Sequence, residues 1–399
     1  MSSILKKKYQ SYQEPQKAKA LNIYPFFRNI QSGQDAEVMV EGKKVLMFGS
    51  NSYLGLTTHP KIKEAAIAAI KKYGSSLSGS RYMNGTSDMH TELESRLAKF
   101  LNKEAVALYS TGFQVNIGIL PTIAGKGDYL FLDRLNHASI FEGSKLSAAQ
   151  TVIFRHNNME SLESKLSKVP LDAFKFIVVD GIFSMEGNIV KLPEIIKLAK
   201  KYNAAVMTDC AHAIGVIGEN GSGTPNHFGL TDEVDIIGGT LSKSFASLGG
   251  FCAADADTIN YLRHHSKSMI FAASITPASI ASALAALDIM ETDDSYRLRL
   301  WDNTHYTLKV MKQLGFDTGA SETPIVPIFI RDDMKAYQLT KMLFDRGVFV
   351  NPVVSPGVSP EDSLIRFSIM SSHTHDHIDK AAEILYQAAK EVNLFETAE

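Results

Sequence analysis

Residues 176–212 read FIVVDGIFSMEGNIVKLPEIIKLAKKYNAAVMTDCAH. The two ends of this stretch, Phe176–Asp180 and Ala204–Asp209, are short apolar and β-branched runs that each stop at an aspartate, the pattern of buried strands. Between them, Leu192–Tyr202 repeats apolar residues at three- and four-residue spacing with Pro193 near its start, as a crossover helix does. A strand, a helix and a second strand in that order make parallel neighbours, which a tight hairpin cannot join.

Outward from this unit the alternation continues from about residue 105 to 255. Further strands are expected at Ala105–Ser110, Tyr129–Asp133, Thr151–Phe154, Asp235–Gly238 and Phe251–Ala254. The expected fold class is therefore α/β, a mostly parallel sheet flanked by helices. After about residue 280 the texture changes to a helix-rich stretch with Trp301, strands near Ile325–Ile330, Val348–Val350 and Leu364–Ser368, and a final helix near Asp376–Glu391. That reads as a smaller α+β domain, so the expected division is an N-terminal segment 1–45, a large domain 46–280 and a small domain 281–399.

The chain has 399 residues, 45% of them hydrophobic and 21% charged, enough for more than one packed core. Its net charge of −2 offers no basic field for a polynucleotide. Two widely separated cysteines, Cys210 and Cys252, suit neither a zinc site nor a disulfide framework, and a reducing cytoplasm is the expected setting. The opening MSSILKKKYQSYQEPQKAKA carries charge with no apolar core behind it, so no signal peptide is expected, and no apolar run reaches the roughly 20 residues of a membrane span. Lys6, Lys7 and Lys8 form a basic cluster that reads first as a solvated arm and second as a weak contact to anionic lipid on the inner face of the membrane.

Open α/β sheets bind ligands at the carboxyl ends of their strands. There the segment 239–250, GTLSKSFASLGG, places Lys243 between small hydroxyl residues directly after a strand. A confined lysine loses its preference for charge and can form an imine, while Thr240 and Ser242 can donate to a phosphate; a helix-start lysine facing water is the equal alternative. Asp209-Cys210-Ala211-His212 supplies what pyridoxal phosphate needs at another strand end: a carboxylate to keep the pyridine nitrogen protonated, a small residue to pack on the ring and an imidazole for its hydroxyl. Ser110-Thr111-Gly112-Phe113-Gln114 joins a strand to a helix and presents free backbone N–H groups to an anion. Each feature alone has a plain structural alternative, but their succession at three strand ends favours the cofactor. His137 follows a further strand end, where ring stacking and a satisfied core histidine fit equally well. His373, His375 and His377 alternate at a helix start with Thr374 as cap; a solvent-facing turn outweighs a metal site, and no metal is expected.

The segments FGSNSYLGL, GSRYMNGTSDMHTELE, YSTGFQVNIG, NHASIFEG, DGIFSMEGNIVKLPEI, TDCAHAIGVIG, GGTLSKSFASLGGF and IRFSIMSSHT together resemble the α-oxoamine synthases over nearly the whole chain. The resemblance implies a type I pyridoxal-phosphate fold and a homodimer with shared active sites. It assigns Lys243 to the cofactor imine, Asp209 to the pyridine nitrogen, His212 to the ring hydroxyl and His137 to ring stacking. Gly112, Phe113, Thr240 and Ser242 fall around the phosphate, Ser184 near the cofactor, and Arg366 and Asn51 at the amino-acid carboxylate, which a guanidinium fork suits bidentately. Tyr53 is expected from the partner subunit. Where many relatives reach across the dimer with a hydroxyl, this chain has Ala272, leaving Ser274 as the substitute; Cys210 stands where many have an acidic residue. FGSNSYLGLTTHP, TLSKSFASLGGF and NPVVSPGVSPEDSLIRFSIM are most similar to the bacterial members that condense L-serine with palmitoyl-coenzyme A, releasing carbon dioxide and 3-ketodihydrosphingosine. Glycine- and alanine-using members share the core motifs, and a non-catalytic partner subunit is the alternative of another class.

Overall fold

In chain order the strands are β1 Glu37–Val40, β2 Lys43–Met47, β3 Ala105–Tyr109, β4 Tyr129–Asp133, β5 Gln150–Phe154, β6 Lys175–Asp180, β7 Ala205–Asp209, β8 Ile236–Thr240, β9 Gly250–Ala254, β10 Ile325–Phe329, β11 Val348–Phe349, β12 Asn351–Val353 and β13 Leu364–Ser368. The computed structural model describes residues 3–10, 12–355 and 357–395; Met1, Ser2 and Ser11 of the expected arm, Pro356 and residues 396–399 lie outside the described residues.

Seven strands form one sheet in the order β3-β9-β8-β7-β6-β4-β5, parallel from β8 to β5, with β9 antiparallel to both its neighbours. Its strands lie within one or two residues of those read from the sequence. A central parallel strand is covered on both faces, so it needs an unbroken apolar run, and β6 is buried along its whole length. Successive residues face opposite ways: Phe176 and Val178 join the core beneath helix Gly112–Ile123, while Ile177 and Val179 join the core shared with helix Leu192–Tyr202. Because β4, β6, β7 and β8 run in one direction, Asp133, Asp180, Asp209 and Thr240 end along one edge. The register sets Asp180 directly beside Asp209.

Two three-stranded sheets complete the chain. Strands β10, β13 and β12 are antiparallel, with Arg366 on the central strand β13. The sheet β1-β2-β11 joins the two chain ends: the expected segment boundary at residue 45 falls inside β2, which pairs in parallel with β11. Val38, Val40, Val45 and Met47 pack there against Phe344 and Met370. Four- and five-residue strands, the second opening on Lys43 and Lys44, carry too little periodicity to stand out in sequence, and their burial comes from a partner some 300 residues away along the chain. The strand expected over Val348–Val350 stops at Phe349, and Asn351–Val353 forms a separate strand in the other small sheet.

Candidate active site

At the carboxyl edge of the large sheet lies a cavity of about 280 Å³ lined by Gly112, Phe113, His137, Asp209, Ala211, His212, Thr240, Ser242 and Lys243. These nine positions, expected at separate strand ends, meet around one space. Thr111 caps helix Gly112–Ile123, its hydroxyl accepting from the Gln114 N–H at 3.2 Å. The first-turn N–H groups beyond it form a positive end suited to a phosphate. A Cβ on Gly112 would sit 2.7 Å from Thr240 Oγ1, so only glycine lets this turn approach β8. Thr240 Oγ1 lies 2.8 Å from Ser242 Oγ and 3.0 Å from the Gly249 carbonyl, which holds both hydroxyls at the same end of the cavity.

The other end is acidic. Asp209 accepts from Asn116 Nδ2 at 2.7 Å through one oxygen and from the Ala211 N–H at 2.9 Å through the other, and it retains lone pairs for a cationic ring nitrogen. Burial, opposed by the nearby Asp209 carboxylate, lowers Lys243 to about 8, leaving an appreciable neutral fraction near neutrality. Burial also holds His137 below its ordinary value, and burial followed by the charges of Lys243 and Arg366 pushes His212 well below. Asp180 goes the other way: burial and then the Asp209 charge raise it far above the carboxylate range. The lysine amine, the carboxylate and the anion-binding turn are the donor set that pyridoxal phosphate requires, and they face one another across a space of suitable kind.

Beside the cavity, Arg366 is buried and makes four hydrogen bonds, all to neutral oxygens: Nε to the Ser184 carbonyl at 2.6 Å, Nη1 to Asn51 Oδ1 at 2.9 Å and Ser368 Oγ at 2.6 Å, and Nη2 to Tyr53 OH at 3.2 Å. One of its five N–H donors, on Nη2, remains for an anion. A bidentate grip on a carboxylate, expected from the guanidinium shape, therefore requires Tyr53 to yield. Tyr53 OH also lies 2.6 Å from His212 Nδ1. Arg366 only donates, so Tyr53 accepts from it; donation of the hydroxyl proton to His212 Nδ1 is the arrangement that gives that proton an acceptor, and it leaves the imidazole proton on Nε2.

Tyr53 thus belongs to its own chain's site. The expectation that it reaches a partner subunit is corrected, because its hydroxyl is buried and satisfied on both sides at home. Ser184 contributes its carbonyl to Arg366, and its side chain is not among the groups lining the cavity. Ser274 is not brought to the cavity of its own chain either: its N–H bonds the Gly79 carbonyl at 2.9 Å, and Ala273 bridges Ser80, tying the segment to the 78–86 loop. Ala272 is half-buried in the same segment. The histidine turn differs from the expected solvent-facing one at His373, which is buried with Nδ1 accepting from the Met370 N–H at 3.1 Å and Nε2 at 3.0 Å from the Met47 carbonyl. Thr374 does cap the helix, accepting from the His377 N–H at 3.2 Å.

Sequence reasoning passed over Asp180, Ser139 and Asn116. Asn116 carried a signal, a polar residue four positions after Gly112 and so on the helix face that carries Gly112 toward the sheet. Ser139 holds His137 Nδ1 at 2.7 Å, and Asp180 accepts from the His137 N–H at 2.9 Å.

Residues 43–385 match the family model described as aminotransferase class I and II. The chain is 55% identical over 376 residues to a serine palmitoyltransferase of Sphingobacterium spiritivorum, covering 94% of each. It is 40% identical over 378 residues to an 8-amino-7-oxononanoate synthase of Thermoanaerobacter pseudethanolicus, covering 94% of this chain and 95% of that protein. A solved serine palmitoyltransferase from S. paucimobilis with a bound PLP–myriocin aldimine superposes with a TM-score of 0.94 at 33% identity, over 98% of this chain and 99% of the other. The architecture is that of fold type I of the PLP-dependent transferases. With the matched residues spanning both the cavity and the Arg366 strand, the chain belongs to the aminotransferase class I and II family and, within it, to the α-oxoamine synthases.

Proposed function

We propose that this protein is a pyridoxal-phosphate-dependent serine C-palmitoyltransferase, joining L-serine to palmitoyl-coenzyme A with release of coenzyme A and carbon dioxide to give 3-ketodihydrosphingosine, the first step of sphingolipid synthesis. The observation that carries it is the convergence of the Lys243 amine, the Asp209 carboxylate and an incompletely paired, buried Arg366 on one site. When bound through Lys243, pyridoxal phosphate supplies an electron sink for charge released at the amino-acid α-carbon.

The residues of the chain do the rest. Gly112, Phe113, Thr240 and Ser242 would hold the phosphate, Asp209 would keep the ring nitrogen protonated, and His212 would hydrogen-bond the ring hydroxyl. Ala211 and His137, both lining the cavity, would pack on the ring. Arg366 and Asn51 receive the serine carboxylate and orient the α C–H bond toward Lys243. The Lys243 amine would accept the α-proton, the α-carbon would attack the thioester carbonyl, and coenzyme A would leave as the thiolate. Neutral His137 donates to the oxygen that gains charge in that attack. The carboxylate departs as carbon dioxide, and a proton returned to the α-carbon completes the ketone.

The 55% identity to a serine palmitoyltransferase against 40% to an 8-amino-7-oxononanoate synthase supports serine over alanine; the glycine of a 2-amino-3-ketobutyrate coenzyme A ligase is the alternative that the product assay decides. An intact Lys243 and Asp209 speak against a non-catalytic partner subunit. Phe113 and Leu248 at the cavity, with exposed Tyr82, Met83 and Phe271, offer apolar surface that a second copy covers in a homodimer. No helix among the described residues is long and apolar enough to cross a membrane. The cytoplasm is the proposed location, with peripheral membrane contact through exposed Ile4 and Leu5 beside Lys6, Lys7 and Lys8.

The test is product analysis by mass spectrometry on pure, cofactor-loaded protein given serine, glycine or alanine with acetyl- or palmitoyl-coenzyme A. A long-chain keto-amine from serine and palmitoyl-coenzyme A alone is expected. Product only from glycine or alanine overturns the serine reading, and no product from any pair favours a non-catalytic role.

A further inference from the structure

Beneath the N-terminal arm lies a second cavity of about 560 Å³, larger than the catalytic one and within the range of about 300–1,000 Å³ typical of ligand sites. Tyr24 and Phe26 of the arm wall one side; Met185, Tyr337, Pro352 and Val353 form the other. The aromatic rings meet edge to face, Tyr24 on Phe26 at 5.5 Å between centroids and Phe26 on Tyr337 at 6.2 Å. Among the described residues, none that lines the space is charged. Such a surface, whose polar groups are a few hydroxyls of Tyr12, Tyr24, Tyr337 and Ser355, suits an alkyl chain better than a charged group, which it would leave without a counter-charge.

Two continuities connect this cavity to the reacting centre. Asn351 is the register partner of Arg366, and Pro352 and Val353 follow it along the same strand. Met185 follows Ser184, whose carbonyl receives Arg366 Nε. Two walls of the cavity are thus direct chain neighbours of Asn351 and Ser184, the residues paired with the carboxylate anchor Arg366, on the side of the molecule to which a thioester must come.

We propose that this cavity holds the alkyl chain of the acyl donor and that the N-terminal arm, by forming its wall, sets the preferred chain length. The assignment rests on the acyltransferase reading for the identity of the donor. Each methylene buried there tightens binding about fourfold, the equivalent of about 0.8 kcal/mol.

Calorimetric titration of cofactor-loaded protein with decanoyl-, myristoyl- and palmitoyl-coenzyme A, in the absence of serine, tests the cavity apart from turnover. Wild type is expected to bind the palmitoyl donor at least tenfold more tightly than the decanoyl one. Val353→Trp, which fills the space, should lose at least tenfold of that preference, and Tyr337→Ala, which opens the wall at a half-buried position, at least fivefold. Should Val353→Trp fail to give folded protein by circular dichroism, Tyr337→Ala decides. Wild-type chain-length ratios in the folded variants, or no length preference in wild type, overturn the proposal. Product assays with serine on the same samples separate the two readings: length-graded binding without product retains the cavity and sinks the acyltransferase, whereas product with unaltered ratios in the variants does the reverse.

Discussion

At the ends of β7 and β8, Asp209, His212 and Lys243 turn toward one shared volume, whereas in the 373–377 turn each histidine ends on a neighbour of its own. His373 is stacked on Phe48 at 4.2 Å and hydrogen-bonded at both ring nitrogens. His375 lies 2.9 Å from Asp302 and is stacked on Tyr306, and His377 closes a capping box. No cluster of metal-ligating side chains occurs among the described residues. Both segments are dense in titratable groups, so density does not distinguish a site. What distinguishes it is convergence on an open space, with polar capacity left over after every internal bond is made.

The contrast makes its largest prediction at Lys243. Replacing it with alanine should reduce product formation by about four orders of magnitude, read by mass spectrometry under single-turnover conditions; wild-type rates in that variant would falsify the assignment. Asp209→Asn should lose about 10³-fold in kcat, with a melting temperature close to wild type in the cofactor-free protein, since the amide keeps a partner for Ala211. For Arg366→Lys the expected change is a rise of about 10²-fold in KM for serine and a smaller fall in kcat, because a lysine cannot reproduce the four-point anchorage of the guanidinium. An equal fall in kcat with KM unchanged would remove Arg366 from the carboxylate.

Smaller effects sharpen the comparison through stability. In the folded, cofactor-free chain Lys243 sits at about 8 against an ordinary 10.5, so between those values the unfolded chain binds a proton that the native one does not. Stability should therefore rise with pH across that window, and Lys243→Met should both flatten the rise and increase the melting temperature at neutral pH by about 1–3 °C. A melting temperature lowered by Lys243→Met would show that the amine is not held at a cost. On the other side of the comparison, His375→Ala should leave turnover within about twofold of wild type and stability within roughly 0.5 kcal/mol, whereas buried His373→Ala should lower the melting temperature without changing turnover per folded molecule.

Much of the large sheet was legible because buried parallel strands must be apolar without interruption, and each such run ended at a polar residue that announced a strand end. Asp209 and Lys243 could be named on that basis. Asp180 stood at an equally visible strand end and was passed over, since its importance comes from the register that sets it beside Asp209. Arg366 and Asn51 could be placed only through family resemblance: the hydrogen bond between them joins positions 315 residues apart. Tyr53 was assigned to the wrong subunit for the same reason, and the strands β1 and β2 were absorbed into an arm because their partner β11 lies near the other end of the chain.

By itself the sequence determined the order of strands and helices, the helix caps and the chemical kinds of residue at each strand end, all of which follow from periodicities and hydrogen-bonding needs that span only a few residues. Only the tertiary structure decided which of those ends meet, that Arg366 keeps a single free donor, and that a largely apolar cavity under the arm is walled by the chain neighbours of its partners Asn351 and Ser184. Distances between such groups are set by sheet register and by the packing of remote segments, and no local pattern in the chain encodes them.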